Sequence, residues 1–298
     1  MPASPSPITR PCARQASIWR TPLLSIAAAE AEAWRILPGR ADAGLVLLCD
    51  HAENTRPPEY GTLGLPPAEL ERHIAYDIGA AAITRHLNAL TGAPAILSRF
   101  SRLLIDPNRG DDDPTLVMRV SDGAIIPGNR HLTDAERDHR IARFWRPYHD
   151  AIERVLGACL SAGPPPVVFS VHSMTNVWKG VARPWHVAML WQDDDRLARP
   201  MIEAFRRDPA LLVGDNEPYH GGLINDCLWQ HARHRGLANA VIEYRQDLVG
   251  DACGQREWAD RTARILAEIL SCPRLGPPLR RPTISAPTPL ATRSAAAI

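Results

Sequence analysis

Gly44-Leu45-Val46-Leu47-Leu48-Cys49 runs without a break into Asp50-His51-Ala52-Glu53-Asn54. A continuous apolar run of this length suits a strand buried on both faces, because a half-exposed strand would alternate. Ionisable residues arrive where the run stops. Two later stretches do the same: Val167-Val168-Phe169-Ser170-Val171 leads into His172-Ser173, and Ala240-Val241-Ile242 leads into Glu243-Tyr244-Arg245-Gln246-Asp247.

Helical patterns fall between these strands. A helix is predicted over 68–90, with Leu70, Ile74 and Ala81 on its buried face and Asp77 on the same face. Short strands are predicted at 95–97 and 103–105. Thr133 with Glu136 reads as a capping box. It opens a long helix in which Ile141, Trp145, Tyr148, Ile152 and Leu156 recur at helical spacing. A strand at 186–191 precedes a helix at about 194–206. A helix over 224–235 ends at Gly236 as C-cap, a strand covers 240–244, and a helix over 255–270 closes the domain. Strands alternating with helices predict an α/β fold, a largely parallel sheet covered on both faces. In such sheets chemistry collects just beyond the carboxyl ends of the strands.

The 298 residues suit one domain over 36–272, between an irregular N-terminal extension (1–35) and a disordered tail (273–298) rich in Pro, Arg, Thr and Ala. A formal net charge of +1 gives no basic footprint for nucleic acid. No segment approaches the roughly 18 consecutive apolar residues of a membrane span. The N-terminus lacks the apolar core of a secretory signal. Six scattered cysteines, at 12, 49, 159, 227, 253 and 272, form no CxxC pair; reduced thiols and a cytoplasmic location are expected.

His51, His172 and a carboxylate would make a common catalytic zinc set. Hydrogen bonding at the sheet rim is the alternative for each histidine. The third ligand is open between Asp77, Glu53 and Asn54. Asp77 is placed ahead of Glu53, since a carboxylate on a buried face costs free energy unless paired, protonated or metal-bound. His73, one turn earlier, is its other candidate partner. Asp106-Pro107-Asn108-Arg109-Gly110 sets an arginine fork beside an asparagine, suited to a substrate carboxylate. Glu243 is placed to move protons between water and a leaving amine. Arg245 and Asp247 either assist it and bind substrate or form a structural salt bridge. Ser173 and Cys49 are weak nucleophile candidates: there is no GxSxG elbow, and Cys49 lies in a buried run.

Several blocks together resemble the N-formylglutamate amidohydrolase family. They are Cys-Asp-His-Ala-Glu-Asn at 49–54, His-Ile-Ala-Tyr-Asp at 73–77, Ser-Arg-Leu-Leu-Ile-Asp-Pro-Asn-Arg at 101–109, Ser-Val-His-Ser-Met-Thr at 170–175, Arg-Pro-Trp-His at 183–186, Gly-Asp-Asn-Glu-Pro-Tyr at 214–219 and Ile-Glu-Tyr-Arg-Gln-Asp-Leu at 242–248. The resemblance runs in order from about residue 35 to 270. It implies a three-layer α/β/α sandwich with a mixed, mostly parallel sheet, like that of the zinc carboxypeptidases. It also implies that His51 and His172 bind zinc, that Glu243 is the catalytic carboxylate, that Asn108 and Arg109 hold a substrate carboxylate, and that Asp106 supports the metal site. One departure is Asn54, which stands where a His-x-x-Glu motif would carry its second ligand. The expected activity is zinc-dependent cleavage of an N-acyl amino acid such as N-formylglutamate, a small-molecule substrate. The alternatives are a metallohydrolase processing a peptide or metabolite within a biosynthetic pathway, and a non-catalytic metal- or ligand-binding protein of the same fold.

Overall fold

A computed structural model describes residues 25–221 and 223–271. The expected tail (273–298), residues 1–24 of the expected extension, Cys12 and Cys272 lie outside the described residues. Eight strands build the main sheet: β1 (Ala29–Glu30), β2 (Trp34–Leu37), β3 (Leu45–Cys49), β4 (Ala95–Ser98), β5 (Val167–Met174), β6 (Val187–Leu190), β7 (Val213–Asp215) and β8 (Asn239–Arg245). Their order across the sheet is β7-β6-β8-β5-β3-β4-β2-β1. The central four, β8, β5, β3 and β4, are parallel; β6 joins β8 antiparallel, with β7 parallel to β6, and β2 and β1 close the far edge antiparallel. The sheet is therefore mixed, with a parallel centre. β1 and β2 begin inside the segment read from sequence as irregular.

The period-2 alternation of a strand divides β3 between two cores. Val46 and Leu48 join one cluster; Leu45, Leu47 and Cys49 join the other. Five helices matter here: α1 (Ala80–Thr91), α2 (Arg146–Ala162), α3 (Ala198–Phe205), α4 (Cys227–His231) and α5 (Ala252–Leu270). Ile83 and Leu87 of α1, Met201 and Phe205 of α3, and Trp258 and Leu266 of α5 fill one face. Tyr148, Ile152 and Leu156 of α2 and Leu228 of α4 fill the other, together with buried loop residues. This is the expected sandwich of helices on both faces. Among the described residues no helix is long and apolar enough to cross a membrane.

Three local expectations need correction. The helix predicted over 68–90 is a 3-10 turn (Pro67–Glu71), an irregular segment, and α1 from Ala80. Pro66 and Pro67 restrict the start, and Gly79 sits at φ +82°, outside helical space. A Cβ there would lie 2.3 Å from the Val249 carbonyl oxygen. Residues 103–105 are buried but form no strand. Side chains serve part of their backbone instead: Asn129 Nδ2 donates to the Leu103 carbonyl and Arg140 Nη1 to that of Leu104. The capping box is half made. Thr133 Oγ1 accepts from the Glu136 N–H at 3.2 Å, while the Glu136 carboxylate turns to Arg140. Gly236, at φ +67°, does end the helical stretch before β8.

Candidate active site

The three apolar runs that lead into ionisable residues are adjacent parallel strands, β3, β5 and β8. β5 is longer than expected, so His172 stands inside it, in register with Glu243 of β8. Residues 170 and 172 share the face of Val168, and Glu243 shares the face of Val241; both faces turn toward the cluster that α2 covers. His51 follows the end of β3. The strand ends thus deliver His51, His172 and Glu243 to one place. All three line a cavity of about 460 Å³.

Asp77 completes the group. Its backbone N–H donates to the His51 carbonyl at 2.9 Å, which ties the irregular segment before α1 to the end of β3. Its Oδ2 lies 2.9 Å from His172 Nδ1 and 3.4 Å from His51 Nδ1, and accepts from the Ser173 N–H at 3.2 Å. The other two third-ligand candidates lie elsewhere. Glu53 faces Arg35 and Thr55, and Asn54 Nδ2 donates to the Leu70 carbonyl. His73 is not the partner of Asp77; its Nε2 lies 3.4 Å from Asp122 Oδ2.

Each histidine is oriented from behind. His51 Nε2 is 2.7 Å from Asp106 Oδ1, and His172 Nε2 is 3.0 Å from Asp50 Oδ2. Asp50 is held in turn by Tyr148 Oη at 2.9 Å and Ser170 Oγ at 2.8 Å. Asp106 is held by Arg102 at 2.7 Å and the Asn108 N–H at 2.9 Å. With each Nε2–H given to a carboxylate, the two Nδ1 lone pairs converge on the Asp77 carboxylate. Three buried acceptors facing one another need a cation between them. These three residues bring donor atoms within 4.8 Å of one another. Two imidazoles and a carboxylate, each His braced by a second carboxylate, could hold a metal ion, and catalytic metal sites use donors and supports of this kind.

A proton on His172 is one cation that can serve. Burial raises the Asp77 pKa, but His51 and His172 outweigh it and hold the group ionised. Burial likewise raises Asp50 and Asp106; His172 overrides it at the first, Arg102 and His51 at the second. Burial opposes a charged His172, yet Asp50 and Asp77 push its pKa well above the usual value. Glu243 behaves differently. Burial drives it up to about 7, with Asp77 adding to the rise and His172 opposing it.

Asn108 and Arg109 both line the cavity. Asn108 Oδ1 accepts from the Cys227 N–H, and Arg109 Nη1 donates to the Asn108 carbonyl. Arg245 does not belong with them. It forks onto Asp247 at 2.7 and 3.2 Å, donates to the Pro184 carbonyl, and is not among the cavity-lining residues. The structural salt bridge describes it. Asp50, Arg102 and Tyr148 were not assigned roles from sequence. A carboxylate closing a fully apolar strand, as Asp50 does, was the one available signal.

Residues 43–249 match the family model described as N-formylglutamate amidohydrolase. Among solved structures, a gene product of Agrobacterium tumefaciens is 33% identical, with a TM-score of 0.75 over 81% of this chain and 96% of that one. The N-formylglutamate amidohydrolase of Ralstonia eutropha is 25% identical, with a TM-score of 0.60 over 80% of this chain and 98% of that one. None of the curated proteins matches.

Proposed function

We propose that this chain, which belongs to the N-formylglutamate amidohydrolase family, is a metal-dependent hydrolase that cleaves the amide of an N-acyl amino acid, N-formylglutamate among the candidates. The products are a small acid and the free amino acid. The observation that carries the reading is the meeting of His51, Asp77 and His172 beside Glu243, in a cavity that also presents Arg109. His51, Asp77 and His172 would hold the ion, and zinc suits two imidazoles and a carboxylate. Bound there, it would supply Lewis-acid polarisation of the scissile carbonyl and make a nucleophile of water near neutral pH.

The chain's own groups do the rest. Glu243, with its pKa near 7, accepts a proton as water attacks and returns it to the departing amine. Arg109 and Asn108 hold the substrate carboxylate, which sets the amide over the histidines. Arg102 ties Asp106 and Asp77 together, at 2.7 and 3.5 Å, and so fixes the frame in which His51 sits.

A cavity of about 460 Å³ is in the range of small-molecule sites. Both loops 120–130 and 214–221 contribute walls, through Ser121 and through Tyr219 and His220. That favours a small substrate over a peptide laid in a groove. Met118, Leu190, Leu223 and Val241 add apolar lining, which leaves room for an acyl group larger than formyl. A cytoplasmic location is part of the same proposal.

The test is metal content paired with amine release from N-formyl and longer N-acyl amino acids, before and after chelation. Near-stoichiometric zinc with chelator-sensitive release is expected, and His51→Ala should lose both. Turnover unaffected by removal of all metal would overturn the mechanism, and full metal content in His51→Ala would remove His51 from the ligand set.

A further inference from the structure

Against the segment Asp106–Arg109, on residues that do not line the catalytic cavity, lies a second buried group of metal-ligating side chains, whose cysteine thiol is bonded to Asp50. It comprises His149 of α2 with Cys227 and His231 of α4. All three are buried.

The two imidazoles face each other through nitrogens that both lack a hydrogen. His149 Nε2 lies 3.1 Å from the Pro107 carbonyl oxygen, which only accepts, so that nitrogen carries its hydrogen. His231 Nδ1 lies 2.5 Å from Glu153 Oε1. Arg235 pairs with the other oxygen of the same carboxylate, so Glu153 accepts and Nδ1 carries the second hydrogen. One nitrogen remains on each ring: His149 Nδ1 and His231 Nε2. They stand 2.7 Å apart, lone pair toward lone pair. A cation must sit between them, either one extra proton or a metal ion.

Three observations favour the metal. First, the outer nitrogens are bonded to a backbone carbonyl and a carboxylate, the partners that orient ligating histidines. Second, a thiol is the third donor. Cys227 Sγ completes a group whose donor atoms all lie within 4.8 Å of one another. Bonds of about 2.0 Å to nitrogen and 2.3 Å to sulfur would draw such atoms around one ion after small side-chain shifts. Third, there is a way in. A cavity of about 350 Å³ reaches His149 and His231 past Trp229, Arg146 and His234. Trp145 packs on the His149 ring at 3.9 Å and shields it.

We propose that His149, Cys227 and His231 form a second metal site, taking a thiophilic cation of the zinc class, whose role is to brace the substrate-binding segment. On loading, the thiol proton of Cys227 and any proton shared by the two imidazoles leave to solvent, and the metal takes three protein bonds in their place. The brace follows from contacts already present. His149 holds the Pro107 carbonyl and the Cys227 N–H holds the Asn108 side chain, so both ends of the site grip the loop that presents Asn108 and Arg109.

Cobalt(II) distinguishes the two sites, because a thiolate ligand gives a sulfur-to-cobalt charge-transfer band in the near ultraviolet and the His51, Asp77, His172 site has no sulfur. The full chain, stripped by chelation and titrated with cobalt(II), should bind two equivalents and develop that band. Cys227→Ser should abolish the band and bind one equivalent. His51→Ala should keep the band, so failure of the catalytic site would leave this proposal standing. A wild-type protein that binds cobalt with no thiolate band refutes the second site outright, even if Cys227→Ser does not fold; the two imidazoles would then share a proton only. Persistence of two equivalents in Cys227→Ser at unchanged affinity would remove the cysteine and overturn the proposal as stated.

Discussion

Replacing Glu243 by Gln should make the metal-free protein more stable while it destroys turnover. The residue is 8% exposed, and burial lifts its carboxyl pKa from the ordinary 4.5 to about 7. A pKa raised in the folded state means that the native protein binds a proton the unfolded chain has already lost. The stabilisation from that proton is complete below about pH 4.5 and disappears as the pH rises through 7. At pH 8 the buried carboxylate is ionised, and the native state has forfeited about 2.5 pH units at about 1.36 kcal/mol each, or roughly 3 kcal/mol. Glutamine keeps the shape without the charge. Chelated Glu243→Gln should therefore exceed chelated wild type by up to about 3 kcal/mol at pH 8. That is a rise of roughly 6–12 °C in Tm for a domain of this size. Near pH 4.5 the two should match. Loaded with metal, the variant should lose about 10²–10⁴-fold in turnover. Urea midpoints of both proteins at the two pH values decide the matter. A variant no more stable than wild type at pH 8, or equally favoured at both pH values, refutes the account of Glu243 as a carboxyl held at a cost for its chemistry.

Asp50→Asn should weaken metal binding at the His51 site about 10–100-fold, because His172 loses the carboxylate that orients its Nε2; competition with a chromophoric chelator measures this, and unchanged affinity would refute it. Arg109→Ala should raise KM for an N-acyl amino acid by about 10–100-fold, the loss of a charged hydrogen bond to a carboxylate. The corresponding amide, which lacks that carboxylate, should show no such change; equal effects on both would place Arg109 elsewhere in the mechanism. Gly79→Ala should cost roughly 1–3 kcal/mol or more, since it adds both a left-handed strain and a contact with the Val249 carbonyl; denaturant unfolding checks it, and a neutral result would mean that the turn before α1 yields freely.

The sheet was legible because β3, β5 and β8 are continuous apolar runs, a signal that survives without any tertiary information. Their carboxyl ends were legible for the same reason, and they carry His51, His172 and Glu243. Asp77 is legible as a carboxylate that must be buried and paired, although the helix expected around it does not form there. A helix pattern through 68–90 ignored what Pro66, Pro67 and Gly79 do to the backbone. Residues 103–105 resemble a strand in sequence because a buried loop and a buried strand have the same composition. What separates them is where the carbonyl partners come from, and here two come from Asn129 and Arg140, far along the chain. Tyr148 was correctly set on the apolar face of α2, yet nothing in a helical period announces that its hydroxyl will reach Asp50. Supporting residues such as Arg102 are invisible in sequence for a general reason: their role exists only toward another side chain.

The charge pattern explains why one carboxylate at this centre titrates near neutrality while three do not. Asp50, Asp77 and Asp106 each have a close cationic partner, His172 for the first two and Arg102 for the third. Glu243 is also buried but has no such bond; what reaches it is burial first, then an attraction from His172 that a repulsion from Asp77 offsets in part. The same strand register that sets Glu243 opposite His172 also keeps it out of the hydrogen-bonded frame that ties down the aspartates. A carboxyl fixed in that frame would be ionised at every relevant pH and useless for returning a proton. One placed beside the frame, in the same cavity wall but unbonded to it, can both accept and release. On the proposed mechanism, the fold thus separates the carboxylates of the hydrogen-bonded frame from a proton-moving one by a single criterion, whether a cation is within hydrogen-bond reach. Bringing an arginine or lysine within that reach of Glu243 should abolish its proton work without touching the proposed ligands.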